Sequence, residues 1–463
     1  METNEYIQYI EKKRHITWEY WFDCIYMPEK IFDFQTHIIE KAVKKWRMGI
    51  FLDTWLWKTR ISLSIAQNIV LKTNWRVLIL TPLSVAFQFI KEANEIWIDD
   101  IEYSKDGKFT KKIVICNYER LHYFNSNDFE CVILDESSIL KNFKGMIKTR
   151  ITSFVRKVKY RFLTTATPSP NDFVELWTSS EALWYMWYMD MLARFFRNNQ
   201  NDTWGNSNIW NKFYLKQHAE NSFFQRVNTR AIMSKRPSDL WFSDDRYILP
   251  SLHVNKHIIE IENEKEWCET LFEDIERQKK DKPKTMTEVR LAWKNTEQIR
   301  CEKAVELARW KTSVYRCNTN NESALLKQLD PEAVEVIGSQ TIEQKEKILE
   351  AFSNGEIKRI ITKATITWMW LNRQHCNHCV FFPTWSYEQY YQAIRRFWRF
   401  WQMNDVYVDM VYTDSQSRVI DAINLKIDKA EKLYKKIIEN VNKDYKLEIS
   451  TENWQVSLPS FIS

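Results

Sequence analysis

The sequence predicts an α/β fold with two parallel sheets in tandem, each flanked by helices. Two observations lead to this prediction. Short apolar segments with the length of buried strands alternate with segments of helical apolar spacing, and polar residues cluster where the predicted strands end. The alternation runs from Phe34 to Pro168 and resumes at Ser313, which indicates a second domain of the same kind.

The composition is that of a globular protein with a mild basic bias. The 463 residues are 44% hydrophobic and 28% charged, and the net charge of +6 permits a polyanionic partner without requiring one. The 8 cysteines have no framework spacing, which favours a reducing compartment. No apolar run approaches the roughly 20 residues that span a membrane, and the N-terminal residues do not resemble a signal peptide. We therefore expect a cytoplasmic protein without a membrane partner.

The first predicted domain covers residues 34–250 and follows an N-terminal extension of 1–33 without a motif. Its opening helix, FQTHIIEKAVKKWR, ends at Trp46, where a glycine cap would be natural. A turn at Asn74-Trp75 would likewise suit glycine at its second residue. Strands are predicted at 49–52, 76–80, 113–116, 131–134 and 160–163, with a helical insertion at about 172–245.

A helical connection over 251–310 is predicted to join this domain to a second one at 311–442. The second domain has predicted strands at 313–317, 333–337, 359–362, 380–382 and 406–412, separated by helical segments. The tail at 443–463 is polar, and we expect it to be loosely ordered.

The loop at 53–59 has the lysine and the hydroxyl of a phosphate-binding loop but not its glycines. Lys58 and Thr59 stand between a strand and a helix, where such a loop places its phosphate-binding lysine and its Mg²⁺-binding hydroxyl. The backbone N–H groups of such a loop curl around phosphate oxygens, which requires positive φ at some residues. Trp55 and Trp57 stand where glycine is expected, so the indoles are predicted to fill the phosphate cradle. A lone Lys-Thr pair also arises by chance, so the assignment depends on other motifs.

Further polar clusters follow the strands in a fixed order. They are Gln35, residues 53–59, Thr81-Pro82, Asp135-Glu136, residues 165–168, residues 362–372 and residues 392–402. Together they resemble the Swi/Snf-like branch of superfamily-two helicases, particularly the compact versions found in phages and prophages. The resemblance covers roughly residues 30–425 and departs from the family pattern chiefly at its glycines.

The resemblance implies two RecA-like (P-loop NTPase) domains, with ATP bound between them and double-stranded DNA crossing both. It implies ATP and Mg²⁺ as cofactors, with the adenine read by Gln35. The nucleotide contacts that it implies are Gln35, Asp53, Thr54, Trp55, Leu56, Trp57, Lys58, Thr59 and Gln392. The implied Mg²⁺ ligands are Thr59 and Asp135, and the implied DNA contacts are Thr81, Pro82, Thr362, Lys363 and Asn372.

Four residues carry the catalytic roles that the resemblance implies. Glu136 would polarise the attacking water, and Asp135 would hold the metal ion through its second coordination shell. Arg396 and Arg399 lie three residues apart, so one helix face can direct both towards a γ-phosphate. Cycles of domain closure would then couple hydrolysis to movement along duplex DNA. The resemblance does not by itself imply strand separation, since this branch often moves along duplex DNA without unwinding it.

Each motif also has a simpler interpretation. An Asp-Glu pair at a strand end is often only a helix cap, and the arginines of 395–399 could form a solvated basic face. Cys376 and Cys379, with His375 and His378 nearby, suggest zinc but lack a second ligand pair. A non-catalytic DNA-binding or scaffold protein on the same fold is a competing class. A motor coupled to a nuclease is a third, with the nuclease, or another replication or repair partner, on a separate chain.

The glycine content is abnormal. Average usage of about 7% would give roughly 32 glycines, whereas this chain has 6 Gly and 22 Trp. The tryptophans that fall where the family pattern has glycine are Trp46, Trp55, Trp57, Trp368, Trp370 and Trp401, with Trp177, Trp184 and Trp241 as further candidates. Because a decaying enzyme would accumulate many residue types at such sites, a single replacement type suggests a translation rule. Our hypothesis is that UGA codons meaning glycine have been read as tryptophan.

Overall fold

The computed structural model describes residues 22–53, 56–82, 85–141, 146–168, 176–183, 185, 188–198, 213–245, 247, 249–260, 293–363, 376–384, 387–398 and 402–451. The chain forms two compact units. The first contains Met1–Tyr247 and Lys429–Ser463, and the second contains Ile248–Asp428.

The first unit is built on a parallel sheet. Its strands are β1 (Arg47–Leu52), β2 (Val77–Thr81), β3 (Ile101–Tyr103), β4 (Ile113–Asn117), β5 (Cys131–Asp135), β6 (Tyr160–Thr165), β7 (Phe196–Asn198), β8 (Phe213–Leu215) and β9 (Ala231–Ser234). Within the described residues the sheet order is β3-β4-β2-β5-β6-β1-β9, and all of these pairs are parallel. β7 and β8 form a separate antiparallel pair. Strands β2, β4, β5 and β6 are buried at every residue, as their continuous apolar sequences predict for parallel strands covered on both faces.

Helices connect these strands. They are α1 (Asp33–Lys45), α2 (Lys58–Thr73), α3 (Ala86–Glu95), α4 (Met146–Val155), α5 (Leu176–Ala182), α6 (Tyr188–Phe195) and α7 (Glu220–Asn228). In α1, Asp33 lies in the first turn and Lys44 and Lys45 lie in the last, which complements the helix dipole. The helix ends at Trp46, as predicted, in a left-handed cap with φ of 53°.

The second unit is built on another parallel sheet. Its strands are β10 (Leu252–Ile259), β11 (Ser313–Cys317), β12 (Val334–Val336), β13 (Arg359–Lys363), β14 (His378–Phe381) and β15 (Val406–Thr413). Within the described residues the order is β10-β15-β14-β11-β13-β12, again with parallel pairing throughout. The helices of this unit are α8 (Glu297–Ala308), α9 (Asn320–Leu329), α10 (Ile342–Ser353) and α11 (Tyr387–Phe397). The last helix, α12 (Ser417–Thr451), begins in the second unit and belongs to the first from Lys429 onward.

A buried ion pair organises the start of α9. Arg300 Nη1 donates to Glu322 Oε1 at 2.7 Å, and neither side chain is more than 2% exposed. The other oxygen of Glu322 accepts from the backbone N–H groups of Asn318 and Thr319, while the Thr319 hydroxyl accepts from the Glu322 N–H. This reciprocal cap satisfies donors that a helix start otherwise leaves unpaired.

Three predictions need correction. The insertion at 172–245 is not only helical, because it contains β7, β8 and β9, and β9 pairs with β1 in the main sheet. The connection at 251–310 begins with β10, which pairs with β15 over eight residues. The tail predicted from 443 is helical as far as Thr451, because α12 continues to that residue.

The predicted fold class is confirmed. Both units have parallel sheets flanked by helices, an arrangement consistent with tandem RecA-like domains. No helix in the described ranges combines the length and apolarity needed to cross a bilayer. The core of the first unit includes Tyr434 and Ile437 of α12, so residues distant in sequence complete it.

Candidate active site

The sheet order of the first unit brings three strand ends together. Strands β5, β6 and β1 are consecutive neighbours, with Asp135 paired to Thr164 and Phe51 paired to Thr165. Because the strands are parallel, the loop after β1 and the residues that follow β5 and β6 lie at one edge of the sheet. This is the edge at which open α/β sheets bind ligands.

Lys58 lies beneath the loop that follows β1. It begins α2 and is only 8% exposed, and its ammonium donates to the carbonyl oxygens of Leu52 at 3.0 Å and Asp53 at 3.2 Å. Thr59 is the next residue of α2 and is half-buried. The Asp53 N–H donates to Ser234 O at 3.1 Å, which ties this loop to β9. Thr54 and Trp55, two of the predicted nucleotide contacts, lie outside the described residues.

Gln35 is fully buried and joins α1 to the same loop. Its side-chain amide donates to Leu56 O at 3.2 Å, and its carbonyl oxygen accepts from the Phe32 N–H at 3.1 Å. The residue predicted to read adenine is therefore positioned by the phosphate-type loop itself. An adenine ring would have to displace or share these two contacts to be read by the Gln35 amide.

Trp57 has the backbone of a glycine at the start of α2. Its φ of 49° and ψ of 54° lie in the left-handed region, and it is the residue that precedes Lys58. Its indole packs against the ring of Phe32 at 5.3 Å between centroids, and the guanidinium of Arg60 lies 4.7 Å from the indole centroid. The turn is therefore of the type that a phosphate-binding loop requires, while the side chain is not.

Asp135 is a buried carboxylate whose negative charge is incompletely compensated. It is 8% exposed, and Thr164 Oγ1 donates to its Oδ1 at 3.0 Å. Burial and the neighbouring carboxylate of Glu136 raise the pKa of Asp135 to about 6, although the positive charge of Lys58 opposes the shift. A carboxylate in this condition is stabilised when a cation binds beside it.

Glu136 is held in a strained conformation by two hydroxyl groups. Its φ of 54° is rare for a residue with a side chain. Thr165 Oγ1 donates to Glu136 Oε1 at 2.7 Å, and Ser138 Oγ donates to the same oxygen at 3.0 Å. Strain of this kind persists only where surrounding contacts enforce it, and it concentrates at functional sites. Thr165 thereby links the end of β6 to the carboxylate that follows β5.

Two positioning residues were not identified from the sequence. The Tyr118 hydroxyl, from the turn after β4, donates to the Asp135 carbonyl oxygen at 2.5 Å and so fixes the peptide that precedes Glu136. Thr164 contacts the Asp135 carboxylate directly. Tyr118 and Thr164 both stand at strand ends, as the polar motifs of the sequence do. Their position at strand ends is the feature of the sequence that could have pointed to them. Buried hydroxyls of Ser137 and Thr167 at this edge have no hydrogen-bond partner within the described residues.

The predicted DNA contacts differ in exposure. Thr81 and Thr362 are fully buried, and each hydroxyl bonds to the carbonyl oxygen of the next residue. Pro82 and Lys363 are half-buried, and the Lys363 ammonium donates to Asn320 Oδ1. Asn372 lies outside the described residues.

The predicted residues of α11 are partly accounted for. Gln392 is buried, at 8% exposure, and Arg396 is half-buried in the last turn of the helix. Arg399 lies outside the described residues, as do Trp368, Trp370 and Trp401. Each of these residues therefore keeps only the role that the resemblance implies.

The alternative zinc interpretation has no structural support in the described region. The ring of His378 contacts Ser313 Oγ and Asp409 Oδ2, each at 2.7 Å, and the Cys376 thiol donates to the Thr312 carbonyl. Burial raises the pKa of the Cys376 and Cys379 thiols to about 12, so neither is poised as a thiolate. Among the residues that the structure describes, which do not include His375, no cluster of three or more His, Cys, Asp and Glu residues could hold a metal ion.

The acidic pair and the loop suit a magnesium-bound nucleotide. Carboxylate and hydroxyl oxygens, such as those of Asp135 and Thr59, are the ligands that Mg²⁺ prefers. Lys58 and the left-handed turn at position 57 supply a cation and a phosphate-type backbone. The indole of Trp57 is the feature that departs from such a site.

Comparison with known proteins gives one family match. Residues 290–400 match the helicase conserved C-terminal domain, a range that contains most of the second sheet. A search of curated proteins finds no match. The matched domain, together with the two parallel sheets, supports a helicase-type protein of superfamily two.

Proposed function

We propose that this protein is an ATP-dependent translocase or helicase that hydrolyses ATP to move along or remodel duplex DNA. The observation that carries the proposal is the edge of the first sheet. There, buried Lys58 begins the helix after β1, and buried Asp135, with its raised pKa, and strained Glu136 stand at the end of β5. Strand β6, whose Thr165 contacts Glu136, lies between β1 and β5. The helicase C-terminal match over 290–400 supports coupling of this chemistry to nucleic acid.

The residues of the first unit divide the work as follows. Lys58 would neutralise phosphate charge, and Thr59 and Asp135 would hold Mg²⁺, which supplies charge stabilisation to the phosphates when it is bound. Glu136 would orient the attacking water and take its proton, with Thr165 and Ser138 fixing the carboxylate. Gln35 would read the adenine. In the second unit we assign Gln392, Arg396 and Arg399 to nucleotide turnover on the strength of the resemblance.

A second candidate is favoured by one observation, the indole at position 57. If tryptophan is present there and at position 55 in the cellular protein, we propose a DNA-binding or scaffold protein that does not turn over ATP. Two indoles in a phosphate-type turn would block access to the backbone N–H groups that bind phosphate. Any nuclease or replication and repair factor would act as a separate partner chain in either case.

A matched pair of proteins separates the two candidates. One is the printed sequence, and the other, called the glycine form below, has Trp55→Gly and Trp57→Gly. We expect ATP turnover that rises with added duplex DNA from the glycine form and none from the printed sequence. The control is Lys58→Ala in the glycine form, which should lose about 10²-fold or more because a charged transition-state contact is removed.

Three outcomes have distinct meanings. Robust DNA-stimulated turnover by the printed sequence would refute the inhibitory role of the tryptophans. Turnover by the glycine form that survives Lys58→Ala would place hydrolysis at another site. A folded glycine form that binds duplex DNA without turning over ATP would refute the ATPase proposal and support the DNA-binding or scaffold function.

A further inference from the structure

Six described residues other than glycine have a left-handed backbone, and four of them are tryptophan. They are Trp46, Asn74, Trp57, Trp97, Glu136 and Trp241. This region is disfavoured for residues with a Cβ atom because that atom crowds the following carbonyl oxygen. Asn tolerates the region through its short polar side chain, and Glu136 is held there by Thr165 and Ser138. The same explanations do not apply to an indole.

Three of the four tryptophans end a helix or a turn, where glycine is the favoured residue. The Trp46 N–H donates to Ala42 O at 3.1 Å and closes α1. Trp97 follows α3, and its N–H donates to Asn94 O at 3.3 Å. Trp241 caps the 3₁₀ turn Pro237–Leu240, and its N–H donates to Ser238 O at 3.1 Å. A left-handed residue at the end of a helix is usually glycine, because glycine adopts this conformation without a Cβ penalty.

The indoles at two of these positions are largely solvent-exposed. Trp97 is 83% exposed and Trp241 is 55% exposed. Tryptophan is usually retained where its large apolar surface is buried and its N–H is paired. These positions therefore carry the backbone of glycine without the burial that normally accompanies tryptophan.

Trp398 shows the opposite behaviour in the same chain. Its backbone is not left-handed, its indole N–H donates to Pro250 O at 2.6 Å, and its ring packs against the core of the second unit. Trp75, for which the sequence also suggested glycine, is not left-handed either, because the neighbouring Asn74 takes that conformation. The backbone thus distinguishes two classes of tryptophan.

We propose that positions 46, 57, 97 and 241 are glycine in the protein that the cell makes, encoded by UGA codons, whereas Trp398 is tryptophan encoded by UGG. The inference uses backbone conformation and exposure, and it does not depend on the proposed ATPase. It adds Trp97 to the positions at which the sequence suggested glycine. It does not include Trp75, whose backbone is not left-handed. It is also consistent with a chain of 463 residues that has only 6 glycines beside 22 tryptophans.

The first test reads the coding DNA and the protein from its natural source. We expect UGA at the four positions, UGG at position 398, and peptides whose masses contain glycine at the four positions and tryptophan at 398. UGG codons at the four positions would overturn the inference. So would peptides from the natural source that contain tryptophan at those positions.

The second test measures the strain at one position against a matched control. Trp97→Gly removes an exposed indole from a left-handed residue, whereas Trp310→Gly removes an indole that is 90% exposed from a residue without positive φ. We expect the urea midpoint to rise for Trp97→Gly, because the backbone strain is relieved. For Trp310→Gly we expect it to stay level or fall, because glycine loses more chain entropy on folding.

Both variants lie at exposed positions, so both should fold and give a readable midpoint. A urea midpoint that stays level or falls for Trp97→Gly would overturn the argument from backbone strain. Neither test depends on ATP turnover or on DNA binding by the protein, so an inactive glycine form would count against the proposed function and leave this inference standing.

Discussion

Two buried aspartates in the two parallel sheets have opposite electrostatic environments. Asp135 ends β5 of the first unit and Asp409 lies within β15 of the second, and they are 8% and 2% exposed. Burial and the carboxylate of Glu136 raise the pKa of Asp135 to about 6. Burial alone would also raise the pKa of Asp409, but hydrogen bonds from His378, Asn255 and His257 hold it well below its usual range.

The two aspartates differ in how completely the surrounding protein satisfies their carboxylates. Around Asp409, His378 approaches Oδ2 at 2.7 Å, while Asn255 and His257 approach Oδ1 at 2.9 and 3.0 Å. The protein itself therefore satisfies that carboxylate. The Thr164 hydroxyl, the Glu136 backbone N–H and the charge of Lys58 all favour the Asp135 carboxylate, but burial and the carboxylate of Glu136 outweigh them. A further cation beside Asp135 would therefore be stabilising.

The largest expected effect concerns Glu136. In the glycine form, Glu136→Gln should reduce DNA-stimulated ATP turnover by about 10²–10⁴-fold, because the amide cannot accept a proton from water. Steady-state phosphate release measures the change. Glu130→Gln, at the opposite end of the same strand, is the control and should retain turnover. If Glu136→Gln turned over ATP as fast as the parent, Glu136 would not be the residue that accepts the proton from water.

The next effect concerns Asp409. Asp409→Asn should lower the free energy of unfolding by about 2–4 kcal/mol, because buried His378 and the partly exposed His257 and Lys311 lose the buried carboxylate that they face. Urea titration at neutral pH measures the loss. Asp405→Asn is the matched control, since Asp405 pairs with His253 at the surface and should change stability by about 1 kcal/mol or less.

Acid should weaken the Asp409 effect. Because the pKa of Asp409 is lower in the folded state than in the unfolded chain, its stabilisation is present above about pH 4 and is lost as the pH falls below that value. The gap between the parent and Asp409→Asn should therefore narrow in acid. The basic side chains that face Asp409 are His257 on β10, His378 on β14 and Lys311 before β11. If the stability difference between the parent and Asp409→Asn widened in acid, the lowered pKa of folded-state Asp409 would be contradicted.

A smaller effect of opposite sign is expected at Asp135. In metal-free buffer, Asp135→Asn should raise the free energy of unfolding by about 1–2 kcal/mol, because a buried carboxylate beside Glu136 is removed. Added Mg²⁺ should stabilise the parent and leave Asp135→Asn unchanged. Destabilisation by Asp135→Asn as severe as that of Asp409→Asn would abolish the distinction between the two aspartates.

The smallest effect concerns the hydroxyl that holds Glu136. Thr165→Val in the glycine form should lower the turnover number about fivefold, the equivalent of roughly 1 kcal/mol for one hydrogen bond to a charged group. The KM for ATP should change little, because Thr165 contacts the carboxylate and not the nucleotide. Thr165→Ser keeps the hydroxyl and should restore turnover, whereas equal losses in both variants would indicate a packing effect.

The sequence predicted what depends on local pattern. The buried strands of both sheets and the end of α1 at Trp46 follow from apolar runs and cap chemistry, which act over a few residues. It did not predict β10, because residues 252–259 form a sheet edge with polar and apolar residues mixed along it. It also missed β3, whose three residues are too few to give a pattern.

The contacts of the candidate site were beyond prediction for another reason. Thr165 and Glu136 are 29 residues apart, and Tyr118 and Asp135 are 17 apart, so only the sheet order brings each pair together. The left-handed backbone of Glu136 is imposed by those contacts and has no signature in its own neighbours. The motifs predicted the candidate residues, whereas the partners that position Asp135 and Glu136 could be seen only in the fold.

The last helix has a consequence for how the chain is made. Tyr434 and Ile437 of α12 belong to the hydrophobic core of the first unit, and the Tyr434 hydroxyl donates to the carbonyl oxygen of Ala166, next to Thr165. During synthesis, that core stays incomplete until residue 437 has left the ribosome. We therefore expect nascent chains that stop before α12 to be readily cleaved by protease in their first unit, and the strand end that carries the candidate site to be ordered among the last parts of the molecule.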